Sequence, residues 1–310
     1  MPYGARMTRA ANSAGGGNGP DARLAQMITT IFALYARAEG NWLSIASVVA
    51  MMADLGCDGQ AVRSAISRLK RRGVLLSEHQ SDSAGYSLSA GMLEALAEGD
   101  TRIFKRTRAS MDDGWAVVVF SVPESEREKR HSLRSNLTRL GFGTAAPGVW
   151  LAPGNLADET RHTLDRLGLS DYVDIFSGPY LAFGDLRAKV RMWWDLDELA
   201  GLYADFLQRY RSALYRASAE GITPEEAFQI YVPMLTQWRR LPYRDPGLPL
   251  SLLPPAWNGE AAGELFDDLN QALSPLAQKH ALAIVYGRSS KPGEAKSAHR
   301  ADRGRNTKSR

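Results

Sequence analysis

The sequence predicts a protein of the α+β class, because helical and strand-like patterns occupy separate stretches of its 310 residues. Near the N terminus, three amphipathic helical patterns are followed by two short strand-like runs. The middle of the chain alternates between strands and helices in the order βαββαβ. The rest of the chain has mostly helical patterns. Three structural regions are therefore expected.

The N-terminal region carries start and stop signals for three helices. The first covers 23–38, Ser44 is positioned to cap the second, and Asp58 is positioned to cap the third, which ends before Gly73. The runs "VLLSEH" and "GYSLS" lie on either side of "QSDSA", which predicts a hairpin. Three helices followed by a hairpin predict a winged helix-turn-helix domain over 21–100.

The third helix separates apolar from basic residues. Its apolar face consists of Val62, Ala65, Ile66 and Leu69. From Arg63 to Arg72 the chain carries five cations and no acid, although a solvated helix usually mixes both signs. Small hydrogen-bonding side chains between cations suit contact with base edges and phosphates, whereas a helix used only for packing is the alternative. The residues predicted to contact double-stranded DNA are Gln60, Arg63, Ser64, Ser67, Arg68, Lys70 and Arg71.

The middle region, over 115–184, is predicted to be a ferredoxin-like domain because of its βαββαβ order. It follows a charged linker over 101–114. The period of its first helix directs Leu133, Leu137 and Leu140 inward.

A helical domain is predicted over 185–287, with a proline-rich connector before its last helix. The glycine-rich start, 1–20, and the basic tail, 288–310, contain too few apolar residues to form a core. Both ends are therefore expected to be disordered.

The net charge of +4 conceals a segregation of charge along the chain. The middle and helical regions are acidic, so DNA contact should be confined to the N-terminal region and the tail. The one cysteine, Cys57, excludes an intramolecular disulfide and fits a reducing cytoplasm; its role is either a redox sensor or a small buried hydrophobe. The chain has neither a signal peptide nor an apolar run long enough to span a bilayer, which predicts a cytoplasmic protein without a membrane partner.

An enzyme is the alternative from another functional class. The five histidines are scattered, without cysteine or carboxylate neighbours at the spacing of metal ligands. A metal-dependent nuclease built on the ferredoxin-like domain would need a carboxylate at the end of the first strand, but Ser121 stands there and the next acid is Glu124. We therefore predict no catalytic residue, no metal and no cofactor.

Four stretches together resemble the PaaX-type family of bacterial repressors, over a span from about Arg23 to Tyr286. These stretches are "LGCDGQAVRSAISRLKRRGVL", "RLGFGTAAPGVWLAP", "WDLDELAGLYADF" and "YRDPGLPLSLLPPAWNGEAAGELF". The resemblance implies a homodimeric repressor that binds the operator of a phenylacetate-type catabolic operon. It also implies release from DNA by an aryl-CoA thioester such as phenylacetyl-CoA.

An acyl-CoA effector needs cations for its phosphates and a flat apolar wall for its acyl group. Two segments, "DLRAKVRMWWDLDEL" and "QWRRLPYRDP", combine both features. An ordinary interdomain surface is the alternative explanation for each of them. The predicted effector-binding residues are Arg187, Lys189, Arg191, Trp193, Trp194, Arg239 and Arg240.

Overall fold

The computed structural model confirms the mixed α+β class. It describes residues 19–80, 83–105, 107–181, 183–219 and 221–289, and two antiparallel sheets lie within them. Most of the predicted disordered start and tail lies outside these residues. None of the helices that the structure describes combines the length and apolar content needed to cross a bilayer.

The N-terminal region contains a helical group and a three-stranded antiparallel sheet of order β1-β3-β2. Its elements are α1 (Pro20–Ile31, continued by a π-helical turn at Phe32–Ala36), β1 (Trp42–Ser44), α2 (Ile45–Asp54), α3 (Gly59–Arg71), β2 (Leu75–Gln80) and β3 (Ser83–Leu88). Both predicted caps are confirmed. The Ser44 hydroxyl accepts a hydrogen bond from the Ser47 amide at 2.9 Å, and the Asp58 carboxylate accepts from the Gln60 and Ala61 amides at 2.9 Å.

Strand β1 was not predicted, because three residues give no measurable alternation and its pairing partner lies some forty residues away. Leu43 of β1 pairs with Tyr86 of β3 in an antiparallel register. Gly85 permits this pairing, since a Cβ there would lie 2.4 Å from the Trp42 ring. Asn41, at a positive φ of 63°, exchanges two hydrogen bonds with the Leu88 backbone and fixes the start of β1.

The predicted linker over 101–114 is wrong in its first part. Helix α4 covers Ala90–Phe104 and carries Arg102 into the interior. The Arg102 guanidinium donates to the carbonyl oxygens of Leu140 at 2.7 Å and Pro242 at 3.2 Å. The hydrogen bonds of this side chain therefore connect three regions of the chain. A charged stretch of sequence gives no indication of such a role.

The middle region forms a four-stranded antiparallel sheet of order β5-β6-β4-β7. Its elements are β4 (Trp115–Phe120), α5 (Arg127–Leu140), β5 (Gly143–Ala146), β6 (Val149–Pro153), α6 (Ala157–Arg166) and β7 (Val173–Gly178). The prediction that Leu133, Leu137 and Leu140 point inward is confirmed, because each is at most 1% exposed.

The last region is helical. Its helices are α7 (Leu186–Trp193), α8 (Leu196–Ala219), α9 (Pro224–Trp238), the short α10 (Leu241–Arg244) and α11 (Gly259–Ser289). Thr223 and Glu226 form a capping box at the start of α9. Helix α11 continues into the first two residues of the predicted disordered tail.

The N-terminal and C-terminal regions share one hydrophobic core. Buried Thr236 of α9 donates to Thr30 of α1 at 2.8 Å, and His280 of α11 lies 2.8 Å from Asp54 of α2. Among the described residues, the middle region has two smaller clusters of its own, and another cluster joins Trp115 and Leu151 to Leu248 and Leu252 of the C-terminal region. The two ends of the chain thus share one core, and the middle region has its own clusters and also packs against the C-terminal region.

Candidate nucleic-acid interface and ligand cavity

Helix α3 is anchored by the apolar face that the sequence predicted. Val62, Ala65 and Leu69 are fully buried and Ile66 is 1% exposed. The anchored side fixes the rotation of the helix, so its polar side faces solvent. All seven predicted DNA-contacting residues lie there, and each is exposed except Arg68, which is half-buried.

The cations of this surface differ in their intramolecular partners. Arg68 forms an ion pair with Asp21 at 3.3 Å, a surface contact of small energy. Within the described part of the chain, Arg63, Lys70 and Arg71 have no acidic partner. Their charge is therefore available to a polyanion.

Cys57 lies at the turn between α2 and α3 and packs against the shared core. Burial raises the pKa of its thiol, although nearby Arg23 opposes the effect. A raised pKa reduces the thiolate fraction at neutral pH, and the thiolate is the reactive form. The structure therefore favours the small buried hydrophobe over the redox sensor.

The first acid after strand β4 already has a cationic partner. Glu124, the first acid after this strand, forms an ion pair with Arg130 at 2.8 Å. Across the residues that the structure describes, no three His, Cys, Asp or Glu side chains are grouped as metal ligands. No observation here favours the nuclease alternative.

A cavity of about 620 Å³ lies where the three regions meet; we call it the junction cavity. Its walls are helix α4, the end of α5 with the following turn, the start of α8, and the segment joining α9 to α10. The apolar part of its lining includes Met92, Leu96, Ile103, Phe142 and Leu202. A volume of several hundred Å³ with mixed apolar and polar walls is typical of small-molecule sites.

Three of the seven predicted effector-binding residues line the junction cavity, namely Trp194, Arg239 and Arg240. The Trp194 indole donates to the Gly141 carbonyl at 2.9 Å, which fixes its ring as part of the wall.

The other four predicted residues, Arg187, Lys189, Arg191 and Trp193, do not line this cavity. The physical reason is the rotation of α7, whose buried residue is Val190. Arg187 donates to the Ser251 carbonyl at 2.7 Å, and Trp193 packs edge-on against Trp115.

Arginines predominate among the charged residues of the junction cavity. Its lining includes Arg139, Arg239, Arg240 and Arg244, but only two acids, Asp195 and Glu198. Glu198 is engaged by Arg244 at 2.8 Å, and Asp195 caps α8 by accepting from the Glu198 amide. Among the described residues, the other three arginines have no carboxylate partner.

Burial affects the protonation of this cluster. It lowers the pKa of the Arg239 guanidinium to about 10, a value at which the group is still a cation at neutral pH. Burial also lowers the pKa of Arg240, and Arg244 adds to that effect by repulsion. The cavity thus holds partly desolvated positive charge.

A second cavity of about 750 Å³ adjoins the first and shares Arg139 and Tyr243 with it. Ion pairs already neutralise much of its charge: Arg102 lies 3.5 Å from Glu159, and Arg166 pairs with Glu98. Positive charge is therefore less compensated in the junction cavity than in its neighbour.

Two lining residues, Arg139 and Tyr243, were not among those predicted to bind the effector. Arg139 lies at the end of a helix in the middle region, one hundred residues from Arg239. Tyr243 lies in one of the two predicted effector segments, but nothing in that segment distinguishes it from a packing aromatic. No spacing within one segment could have brought these side chains together.

Comparisons with known proteins agree along most of the chain. Residues 23–92 match the family model described as PaaX-like protein, 108–190 the PaaX protein central Cas2-like domain, and 194–283 the PaaX-like protein C-terminal domain. The chain is 27% identical over 256 residues to the transcriptional repressor PaaX of Escherichia coli strain K12, covering 81% of this chain and 80% of that protein. Among solved structures it resembles the uncharacterized protein Rv0674 from Mycobacterium tuberculosis, with a TM-score of 0.52, 21% identity, and coverage of 81% and 97%. This last likeness concerns the fold alone.

Proposed function

Because the chain belongs to the PaaX family of transcriptional repressors, we propose that it represses transcription by binding operator DNA. The observation that carries the proposal is the outer face of α3. There, Arg63, Lys70 and Arg71, which have no acidic partner among the described residues, lie beside small polar side chains on a rigidly anchored helix. Such a surface reads base edges and neutralises phosphates at the same time. The protein is a regulator and not an enzyme.

We interpret the N-terminal region as a winged helix-turn-helix and the middle region as a ferredoxin-like domain. The order helix, strand, helix, helix, strand, strand supports the first interpretation, and the strand order β5-β6-β4-β7 supports the second. In this interpretation α3 enters the major groove and the β2–β3 hairpin is the wing.

We propose a cytoplasmic homodimer that controls a phenylacetate-type catabolic operon. A dimer places two α3 helices about one DNA turn apart, roughly 34 Å, which matches a two-fold symmetric operator. We also propose that an aryl-CoA thioester such as phenylacetyl-CoA releases the repressor, through contacts that include Trp194, Arg239 and Arg240. Release follows if the ligand prefers a conformation with low operator affinity.

The test of DNA binding begins with sequences that the purified protein selects from a random duplex library. Arg63→Ala and Ser67→Ala should each weaken binding to the selected sequence by about 1–3 kcal/mol, because each removes a contact to a base edge. Lys70→Ala should weaken selected and random DNA alike and reduce the salt dependence by about one counterion, because its partner is a phosphate. Gel-shift titrations over a salt series measure both effects.

Arg134→Ala is the matched control for these variants. Arg134 is an exposed cation on α5, outside the proposed interface, so its loss should leave affinity unchanged. If Arg63→Ala and Arg71→Ala bind the selected sequence as tightly as the wild type, α3 is not the recognition helix.

A further inference from the structure

We infer that Asp21 of α1 limits the affinity of this protein for DNA phosphates, because its carboxylate holds Arg68 of α3. Arg68 is thereby a weaker phosphate contact than the other cations of the same helix. The inference rests on the proposed function in one respect, namely that α3 is the helix that contacts DNA.

Arg68 lies at the edge of the outer face of α3. The buried residues of this helix are Val62, Ala65, Ile66 and Leu69. At about 100° per residue, Ser64 and Arg71 lie opposite that buried side, whereas Arg68 lies between the two sides. Its side chain is 36% exposed. When a helix enters the major groove, its central side chains meet base edges and its edge side chains meet the phosphate backbone, so we expect Arg68 to contact a phosphate.

Helix α1 supplies the acid that occupies this edge. It packs against α3, and its buried residues Leu24, Met27 and Ile28 fix its rotation. Asp21, in the first turn of α1, is therefore held beside α3, and its carboxylate lies 3.3 Å from the Arg68 guanidinium. The Asp21 side chain is 81% exposed, so the carboxylate lies at the surface that DNA would approach.

The nearest cation of α1 does not compete for this carboxylate. Arg23 lies two residues beyond Asp21, and side chains at that spacing do not face each other on a helix. Burial raises the pKa of the Cys57 thiol and of the Tyr210 hydroxyl, and the positive charge of Arg23 opposes both effects. Arg23 therefore lies near those two groups, and among the described residues Asp21 pairs with a cation of α3.

The ion pair changes what Arg68 offers to DNA. A carboxylate beside a guanidinium cancels most of its charge at longer range, so Arg68 adds little to the attraction between α3 and a polyanion. When Arg68 contacts a phosphate, the Asp21 carboxylate lies close to a group of the same sign and repels it. Arg63, Lys70 and Arg71 have no acidic partner among the described residues, so their phosphate contacts are free of this repulsion.

Asp21 therefore acts on the part of binding that does not depend on base sequence. Phosphate contacts supply nearly all of the affinity for random DNA, and random DNA is in large excess over operator DNA in a genome. An acid that weakens one phosphate contact lets the protein leave random DNA more readily. The contacts of Arg63 and Ser67 to base edges are unaffected, so the preference for one sequence over another is retained.

Asp21→Asn tests the inference, because it removes the charge and keeps the size of an exposed side chain. The variant should bind both the selected sequence and random DNA about threefold to tenfold more tightly than the wild type, and its salt dependence should increase by about one counterion. Fluorescence-anisotropy titrations of the full chain over a salt series measure both quantities. Asp268→Asn, which changes an exposed acid on α11, should leave both unchanged.

A double-mutant cycle shows whether Asp21 acts through Arg68. Arg68→Ala alone should weaken binding by about twofold or less, because the carboxylate already holds this cation, whereas in the Asp21→Asn protein the same change should cancel the gain in affinity. The inference is overturned if Asp21→Asn binds DNA like the wild type. It is also overturned if the gain persists in full without Arg68, since the carboxylate then acts by repelling DNA directly. A wild-type protein that binds no DNA would instead contradict the proposed function itself.

Discussion

Replacing Asp245 with alanine is expected to reduce the free energy of unfolding by about 3–5 kcal/mol. The Asp245 carboxylate is fully buried, accepts from the Tyr203 hydroxyl at 2.8 Å and from the Gly247 amide at 2.8 Å, and lies 3.5 Å from the Arg108 guanidinium. Its removal leaves Arg108 without this counter-charge in a site that is mostly shielded from water. Urea denaturation monitored by tryptophan fluorescence measures the loss.

Asp268→Ala is the matched control, because Asp268 is an exposed carboxylate on α11. It should change the stability by less than about 0.5 kcal/mol. Asp245→Asn keeps the size of the side chain and an acceptor oxygen, so it should be less harmful than alanine. Equal stability of the Asp245→Ala and Asp268→Ala variants would show that the buried carboxylate has no structural role.

Ile66→Ala is expected to reduce the free energy of unfolding by about 2–5 kcal/mol, because Ile66 is 1% exposed and alanine leaves a cavity in the shared core. The effect should extend well beyond the N-terminal region. Tyr35 of the N-terminal region packs against Phe228 of α9 with ring centroids 5.9 Å apart, and Thr30 contacts Thr236. Hydrogen exchange should therefore accelerate in α9 and α11 as well as in α1 and α3.

Leu133→Ala tests the middle region. Leu133 is fully buried in a cluster of the middle region, so its loss should accelerate exchange in α5 and the four-stranded sheet. If Ile66→Ala accelerates hydrogen exchange only between α1 and β3, the N-terminal and C-terminal regions do not form one cooperative unit. The two variants therefore distinguish a single cooperative unit, formed by the N-terminal and C-terminal regions, from two independent domains.

The outer face of α3 illustrates what a single segment of sequence can specify. Its apolar quartet, its Asp58 cap and its terminating Gly73 all act within a few residues of one another. Helical periodicity then determines which side chains face outward, so the local pattern is enough to place Arg63 and Ser67 on the outer side of the helix.

The junction cavity illustrates the opposite case. Trp194, Arg239 and Arg240 line this cavity, and the sequence had singled them out because cations beside tryptophans are visible within one segment. The sequence grouped Arg187 with them, whereas Arg187 lies outside the cavity, because the rotation of a short helix depends on which side packs. Nothing in the sequence around Arg139 indicated that its side chain lines the cavity.

The sequence by itself determined the α+β class, the helix caps, the buried faces of α3 and α5, and the polar surface of α3. All of these depend on residues a few positions apart, where backbone geometry fixes the spacing of side chains. Tertiary structure alone decided that β1 is a strand, that α4 replaces part of a predicted linker, and that both chain ends share a core. It also decided which arginines meet, because contacts between segments a hundred residues apart follow from the packing of whole helices and sheets and not from any local pattern.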